Sequence, residues 1–244
     1  MMQNLQRESW YIGNLAGVPI FLHWTALFLV MLVVAGGWNA GPDWIILHLV
    51  WLIAGIVLHE LGHGLMAKAL GAFGITITLW AFGGLCSSRR DSARVGRELA
   101  IVAAGPAVSL ALCAGCWALL EWLRLNQPGL LSSATGPSLL RDALAVGFVV
   151  NLSLFIFNML PIFPMDGGQL VFYSMLGVTR NQRLSRQVCL FLAVFGALAF
   201  FMWRTGLFAA GGDVGVWVQG LQLWDLFLAF ILFLMVRSAV QILG

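Results

Sequence analysis

Two histidines four residues apart flank a glutamate in the run His59-Glu60-Leu61-Gly62-His63. In a helix, both imidazoles lie on one face with Cβ atoms about 5–6 Å apart, close enough to grip one zinc ion. Glu60 sits beside His59, where it can reach a water on that zinc and take its proton. All three side chains fall inside an apolar stretch long enough to cross a bilayer. Ionisable groups are costly there, and metal-assisted hydrolysis is the chemistry that best accounts for them.

Such a centre needs a third protein ligand and one open position. No histidine follows His63, and Glu98 and Glu121 are the only later glutamates. Glu98 opens an apolar stretch beside arginines, and Glu121 lies near that stretch's other end. Neither matches the depth of His63 as well as Asp166, in the run Asn158-Met-Leu-Pro-Ile-Phe-Pro-Met-Asp166-Gly167-Gly168. Pro161 and Pro164 interrupt the helix there, and a broken helix at membrane depth lines a site because its freed backbone groups need partners. The residues alone leave Glu98 open as the rival ligand, in an enzyme whose catalytic face projects into the cytoplasm.

The elements that must carry these groups belong to a membrane. Of 244 residues, 61% are apolar and 9% charged. The mean hydropathy is +0.93. A soluble domain carries about 25% charged residues, so this is an integral membrane protein. The net charge of +3 reflects loop arginines, and no basic patch points to nucleic acid. Residues 1–15 are polar and carry no small-residue cleavage site, so the first apolar stretch is expected to be retained. The expected fold class is an all-α polytopic membrane protein, a single domain over 1–244. It has about six transmembrane helices, at 17–37, 44–71, 95–123, 138–159 (continuing to 178), 187–205 and 219–243. Cys113 and Cys116 form a C-x-x-C mid-span and read as small residues in a packed helix.

Charge sets the expected orientation. With a cytoplasmic N-terminus, ten basic residues fall inside: Arg7, Lys68, Arg89, Arg90, Arg94, Arg97, Arg180, Arg183, Arg186 and Arg237. Only Arg124, Arg141 and Arg204 fall outside. Both termini are then cytoplasmic, and tryptophans such as Trp38, Trp44 and Trp122 cluster near the outer ends of spans. His63 lies about eight residues from the inner end of its span, roughly 12 Å deep. Residues 73–88 break the helical pattern. Thr76 and Thr78 alternate with Ile75, Ile77 and Leu79, and Gly83-Gly84 makes a turn, so a short membrane-embedded β-hairpin is expected after the second helix. Its edge cannot face lipid, and it could add a substrate as a further strand.

These residues resemble the site-2 protease family of intramembrane zinc metalloproteases, in a minimal form without PDZ or CBS domain. HELGH at 59–63 and NMLPIFPMDGG at 158–168 carry the resemblance. AFGG at 81–84, AAGPA at 103–107 and GVPIFLHW at 17–24 support it, in family order. The resemblance implies one Zn2+ per chain held by His59, His63 and Asp166, with Glu60 as general base and then acid. It implies a transmembrane protein substrate cut within or near the lipid bilayer, with Asn158 holding substrate backbone or the developing oxyanion. A non-proteolytic zinc-binding membrane protein or a metal transporter is the alternative, although zinc binding alone does not require Glu60. Gln169 and Ser109 depart from the family pattern, and neither is expected to affect zinc. Asn151 is expected to be structural, and His48 to sit at the outer interface. His23, at a depth like that of His63, could neighbour the site.

Overall fold

The computed structural model describes residues 8–81, 83–90, 94–133, 136–163 and 165–206, with isolated helical positions between 225 and 241. Two units divide the chain, one of residues 1–93 and 100–156, the other of 94–99 and 157–244. The elements in order are β1 (Ser9–Leu15), β2 (Val18–His23), α1 (Leu27–Gly37), α2 (Pro42–Ala69), β3 (Phe73–Trp80) and β4 (Gly83–Arg89), then α3 (Val95–Asn126), α4 (Leu139–Asn158), α5 (Asp166–Thr179) and α6 (Gln182–Arg204).

Within the first unit the four strands make one sheet in the order β1-β2-β3-β4. β1 and β2 close through Ala16 and Gly17, with φ of 53° and 81°. Positive φ at both central residues gives the turn whose twist suits a two-residue hairpin. β2 then pairs parallel with β3, and β3 pairs antiparallel with β4. The expected hairpin at 73–88 is therefore present as β3 and β4, inside a larger sheet.

α2 starts cleanly, with Pro42 in its first turn and Asp43 near its positive end. It stops at Gly71, whose φ is 87°, while the Ala72 N–H donates to the Ala67 carbonyl at 2.9 Å. That bond spans the last turn and sends the chain directly into β3. Val18, Ile20, Ile77 and Leu79 of the sheet pack on Ile56 and Leu61 of α2. Gly64 permits the approach, since a methyl group there would lie 3.2 Å from Ile75 Cγ2. In a bilayer, tight packing of this kind, rather than escape from water, holds helices to their neighbours.

Four described helices are long and apolar enough to cross a membrane: Pro42–Ala69, Val95–Asn126, Leu139–Asn158 and Gln182–Trp203. The expected first span at 17–37 does not form as one helix. Val18–His23 is a strand, and α1 has only 11 residues, about 17 Å of helix. The reason is local: an apolar run such as Val18-Pro-Ile-Phe-Leu22 suits a buried strand as well as a helix, and hydropathy does not separate them. The all-α expectation is corrected accordingly to a mostly helical fold with a four-stranded sheet. The expected span at 219–243 lies largely outside the described residues.

The second unit is built around a reversal. α4 ends at Asn158, and after a non-helical stretch α5 begins at Asp166. A methyl group at Gly167 would lie 2.5 Å from the Leu160 carbonyl oxygen, and one at Gly168 would lie 2.5 Å from the Phe163 nitrogen. The chain thus folds back across the first turn of α5, and only glycines leave room for it. Ile162, at the crest, is fully buried with Ala193 and Ala197 of α6. Asn181 caps α6 by accepting from the Leu184 N–H at 3.0 Å.

Candidate metal centre

His59, Glu60 and His63 lie in the interior of α2, where the helical ladder is unbroken and the i, i+4 spacing puts both rings on one side. All three are buried. One ligand atom from each can be chosen so that all lie within 4.8 Å of one another. The two imidazoles meet edge to face, with ring centroids 4.9 Å apart and planes at 79°. Their Nε2 atoms stand 3.2 Å apart.

The outer nitrogens are engaged by α3. His63 Nδ1 lies 2.7 Å from the Ile101 carbonyl oxygen. A carbonyl only accepts, so this nitrogen carries the hydrogen and Nε2 carries the lone pair. His59 Nδ1 lies 2.9 Å from Ser109 Oγ. Ile101, Gly105 and Ser109 recur every four residues and therefore share one face of α3. Gly105 gives the rings their space, since a methyl group there would lie 2.5 Å from His63 Cε1. On α2, a methyl at Gly62 would lie 2.8 Å from the Ala104 carbonyl oxygen, so the two backbones touch.

The donor set fits zinc. Nitrogen–zinc bonds of about 2.0–2.1 Å in a tetrahedral site put two nitrogens roughly 3.3–3.4 Å apart, near the separation here. One lone pair is fixed toward the shared point by Ile101, and the other faces it when Ser109 accepts from His59 Nδ1. Each ring has an outer hydrogen-bond partner, the usual device for orienting a metal-binding histidine.

Glu60 is closed in by the sheet. A methyl group on Gly84 of β4 would lie 2.7 Å from Glu60 Cδ and 2.8 Å from Oε1. On the same strand, burial pushes the Cys86 thiol up to about 12, with the Glu60 charge adding to the rise and Arg90 opposing it. The turn before Gly84 is anchored by Thr25, whose Oγ1 accepts from the Ala81 N–H at 3.2 Å. His23 in turn supports Thr25: its Nδ1 lies 2.7 Å from Thr25 Oγ1 and accepts from the Thr25 N–H at 3.3 Å. Its Nε2 lies 3.5 Å from Glu8. His23 is thus a cap at the end of β2 that braces the wall over Glu60.

Asp166 and Asn158 belong to the second unit. Asp166 is buried at the first residue of α5, and Asn158 is half-buried at the last residue of α4. Glu98, the rival ligand, is buried in the first turn of α3, also in the second unit. Asn151 packs where α4 meets α2: its Nδ2 donates to the Gly147 carbonyl at 2.8 Å, and a methyl at Gly55 would lie 3.1 Å from its Oδ1. His48 stacks on Trp44 at 3.5 Å and donates from Nδ1 to the Trp44 carbonyl at 2.8 Å. Cys113 and Cys116 are buried free thiols.

The part α3 plays beside the histidines is not legible in the sequence. Ser109 stands out in the sequence only as a departure from the family pattern; in the fold it lies against His59. The one readable signal was AAGPA at 103–107, which places a small residue opposite the histidines.

Comparison with known proteins places this geometry. The model of peptidase family M50 matches residues 47–136 and 127–202. Rip3 of Mycobacterium tuberculosis is 30% identical over 244 aligned residues, covering 91% of this chain and 58% of that one. Zinc metalloprotease MJ0392 of Methanocaldococcus jannaschii is 31% identical over 194 residues, covering 76% of this chain and 53% of its own. The chain thus spans about half the length of the curated relatives it matches. The solved site-2 protease from Methanocaldococcus jannaschii superposes with a TM-score of 0.58 at 25% identity, covering 94% of this chain and 95% of that one. Taken with the paired histidines on a membrane-length helix, these matches make the chain a member of peptidase family M50, the site-2 protease family of membrane metallopeptidases.

Proposed function

We propose that this chain is an intramembrane zinc metalloprotease that hydrolyses peptide bonds within or near the transmembrane segments of membrane-protein substrates. The observation that carries the reading is the pair of buried Nε2 atoms 3.2 Å apart with the Glu60 carboxylate beside them. His59 and His63 supply two ligands. Asp166, buried at the start of a helix that follows a proline-broken stretch, is proposed as the third. Zinc, when bound, polarises the scissile carbonyl and lowers the pKa of water.

The protein's own groups do the rest. Glu60 takes a proton from the attacking water and delivers it to the leaving amine. Gly84, having no side chain, leaves the Glu60 carboxylate room against β4 beside the histidines. Asn158 offers an amide N–H to the substrate backbone or to the oxygen that gains charge. The substrate must unwind locally, because a helix keeps its carbonyls in internal hydrogen bonds. β4 is the outer strand of the sheet on the Glu60 side and can pair with the unwound stretch. The excess of basic residues on one set of loops supports cytoplasmic termini and a centre opening toward the cytoplasm.

The test uses the purified chain and its Glu60→Gln variant with a panel of single-span substrates in liposomes. The expected result is stoichiometric zinc in both, and cleavage that falls in the variant by at least 10²–10⁴-fold. Mass-spectrometric mapping should place the cut sites within or near the span. Full activity in Glu60→Gln would end the general-base assignment. Ion flux without cleavage would favour a transporter.

A further inference from the structure

We propose that Ser109 is a positioning residue that sets the tautomer and ring angle of His59, and so tunes how tightly the centre holds its metal. The inference rests on reading His59 and His63 as zinc ligands. The Ser109 hydroxyl is fully buried, and the His59 ring beside it is buried as well. Their contact of 2.9 Å bridges two helices and fifty positions of sequence.

A serine in mid-helix ordinarily turns its hydroxyl back to the carbonyl four residues earlier. Ser109 instead faces His59 on α2. The close contacts at Gly62 and Gly105 hold the two helices near enough for this. The two histidines are thereby held by different chemistries. The Ile101 carbonyl accepts and nothing else, so it fixes the His63 tautomer unconditionally. A hydroxyl both donates and accepts, so Ser109 fixes the His59 tautomer only while it accepts. With a divalent cation between the Nε2 atoms, the His59 Nδ1–H donates and Ser109 accepts. Without that acceptor, the His59 Nδ1–H loses its hydrogen-bond partner on α3. Losing such an outer partner typically costs 10–100-fold in metal affinity. The backbone carbonyl behind His63 cannot be altered by side-chain substitution, so position 109 is the adjustable side of the pair.

The experiment measures Zn2+ affinity of the purified full-length chain by competition with a chromophoric chelator, for the unaltered protein, Ser109→Ala and Ser109→Cys. Cysteine keeps the packing and offers only a weak acceptor. Both variants should bind zinc 10–100-fold more weakly. Their melting temperatures in excess chelator should match that of the unaltered protein. The visible spectrum of bound Co2+, which reports ligand geometry, should shift in both. Unchanged affinity in either variant overturns the proposal. So does a loss matched by an equal fall in metal-free melting temperature, which would mark a packing role. Should Ser109→Ala fail to fold, Ser109→Cys decides alone. An unaltered protein that takes up no stoichiometric zinc would sink the metal-centre reading itself, an outcome separate from equal affinities.

Discussion

The histidine pair and the aspartate are held by opposite devices. His59 and His63 project from an uninterrupted 28-residue helix, where backbone bonds are all spent inside the helix. Such a helix gives side chains a direction but no fine angle, so the angles come from α3, through a carbonyl and a hydroxyl. Asp166 sits where a helix begins, behind a stretch folded over Gly167 and Gly168. There the backbone itself fixes the side chain's root. The contrast teaches that the histidine pair is tuned by its neighbours, whereas Asp166, in the other unit, is set by the path of its own chain.

Substitutions that add one methyl group to each region sharpen the contrast. Gly105→Ala is expected to have the largest effect on metal, because the methyl displaces the His63 ring. Zinc content by atomic emission should fall below a tenth of stoichiometric, and cleavage should drop at least 10²-fold. Gly167→Ala sets a methyl against backbone oxygen, which cannot step aside. Its cost is expected in folding, about 1–3 kcal/mol by thermal or denaturant unfolding. If Gly167→Ala left stability untouched, the account of the reversal would fail.

Gly84→Ala should act on neither metal nor fold but on the base. The Glu60 side chain can rotate away, so zinc stays while cleavage falls about 10-fold or more; concurrent zinc loss would break the separation drawn here. Asn151 gives a smaller test. Its Oδ1 is buried without a hydrogen-bond partner among the described residues. Asn151→Leu should therefore change unfolding free energy by less than about 1 kcal/mol, because the lost Nδ2 bond is offset by removal of an unpaired acceptor.

The last effect concerns Cys86, whose pKa is raised to about 12. Alkylation needs the thiolate. In a variant retaining only this cysteine, alkylation at pH 8 should be at least about 100-fold slower than for a free thiol, and should climb with pH toward 12. Because the Glu60 charge contributes to the rise, Glu60→Gln should speed it, as mass spectrometry of the labelled protein would detect.

How much of this was legible follows from distance along the chain. The His59–Glu60–His63 group could be read because its geometry is contained in one helical turn. β3 and β4 could be read because threonines alternate with apolar residues and a Gly-Gly turn follows. β1 and β2 could not. Val18–Leu22 is uniformly apolar, and its strand state is set by pairing with β3 more than fifty residues later. Ser109 was equally hidden, since a serine in an apolar helix carries no local mark of the ring it meets. Gly167 and Gly168 were noticed as a motif, but the reason for them is the chain lying over them.

The length of α2 carries one more consequence. Twenty-eight residues make about 42 Å of helix, while the hydrocarbon slab is about 30 Å thick. The surplus of about 12 Å must be absorbed by tilt, by projection past the headgroups, or by local compression of the lipid. The level at which the imidazoles ride is therefore a joint property of protein and bilayer. Acyl chain length becomes a dial on that level, with no residue changed.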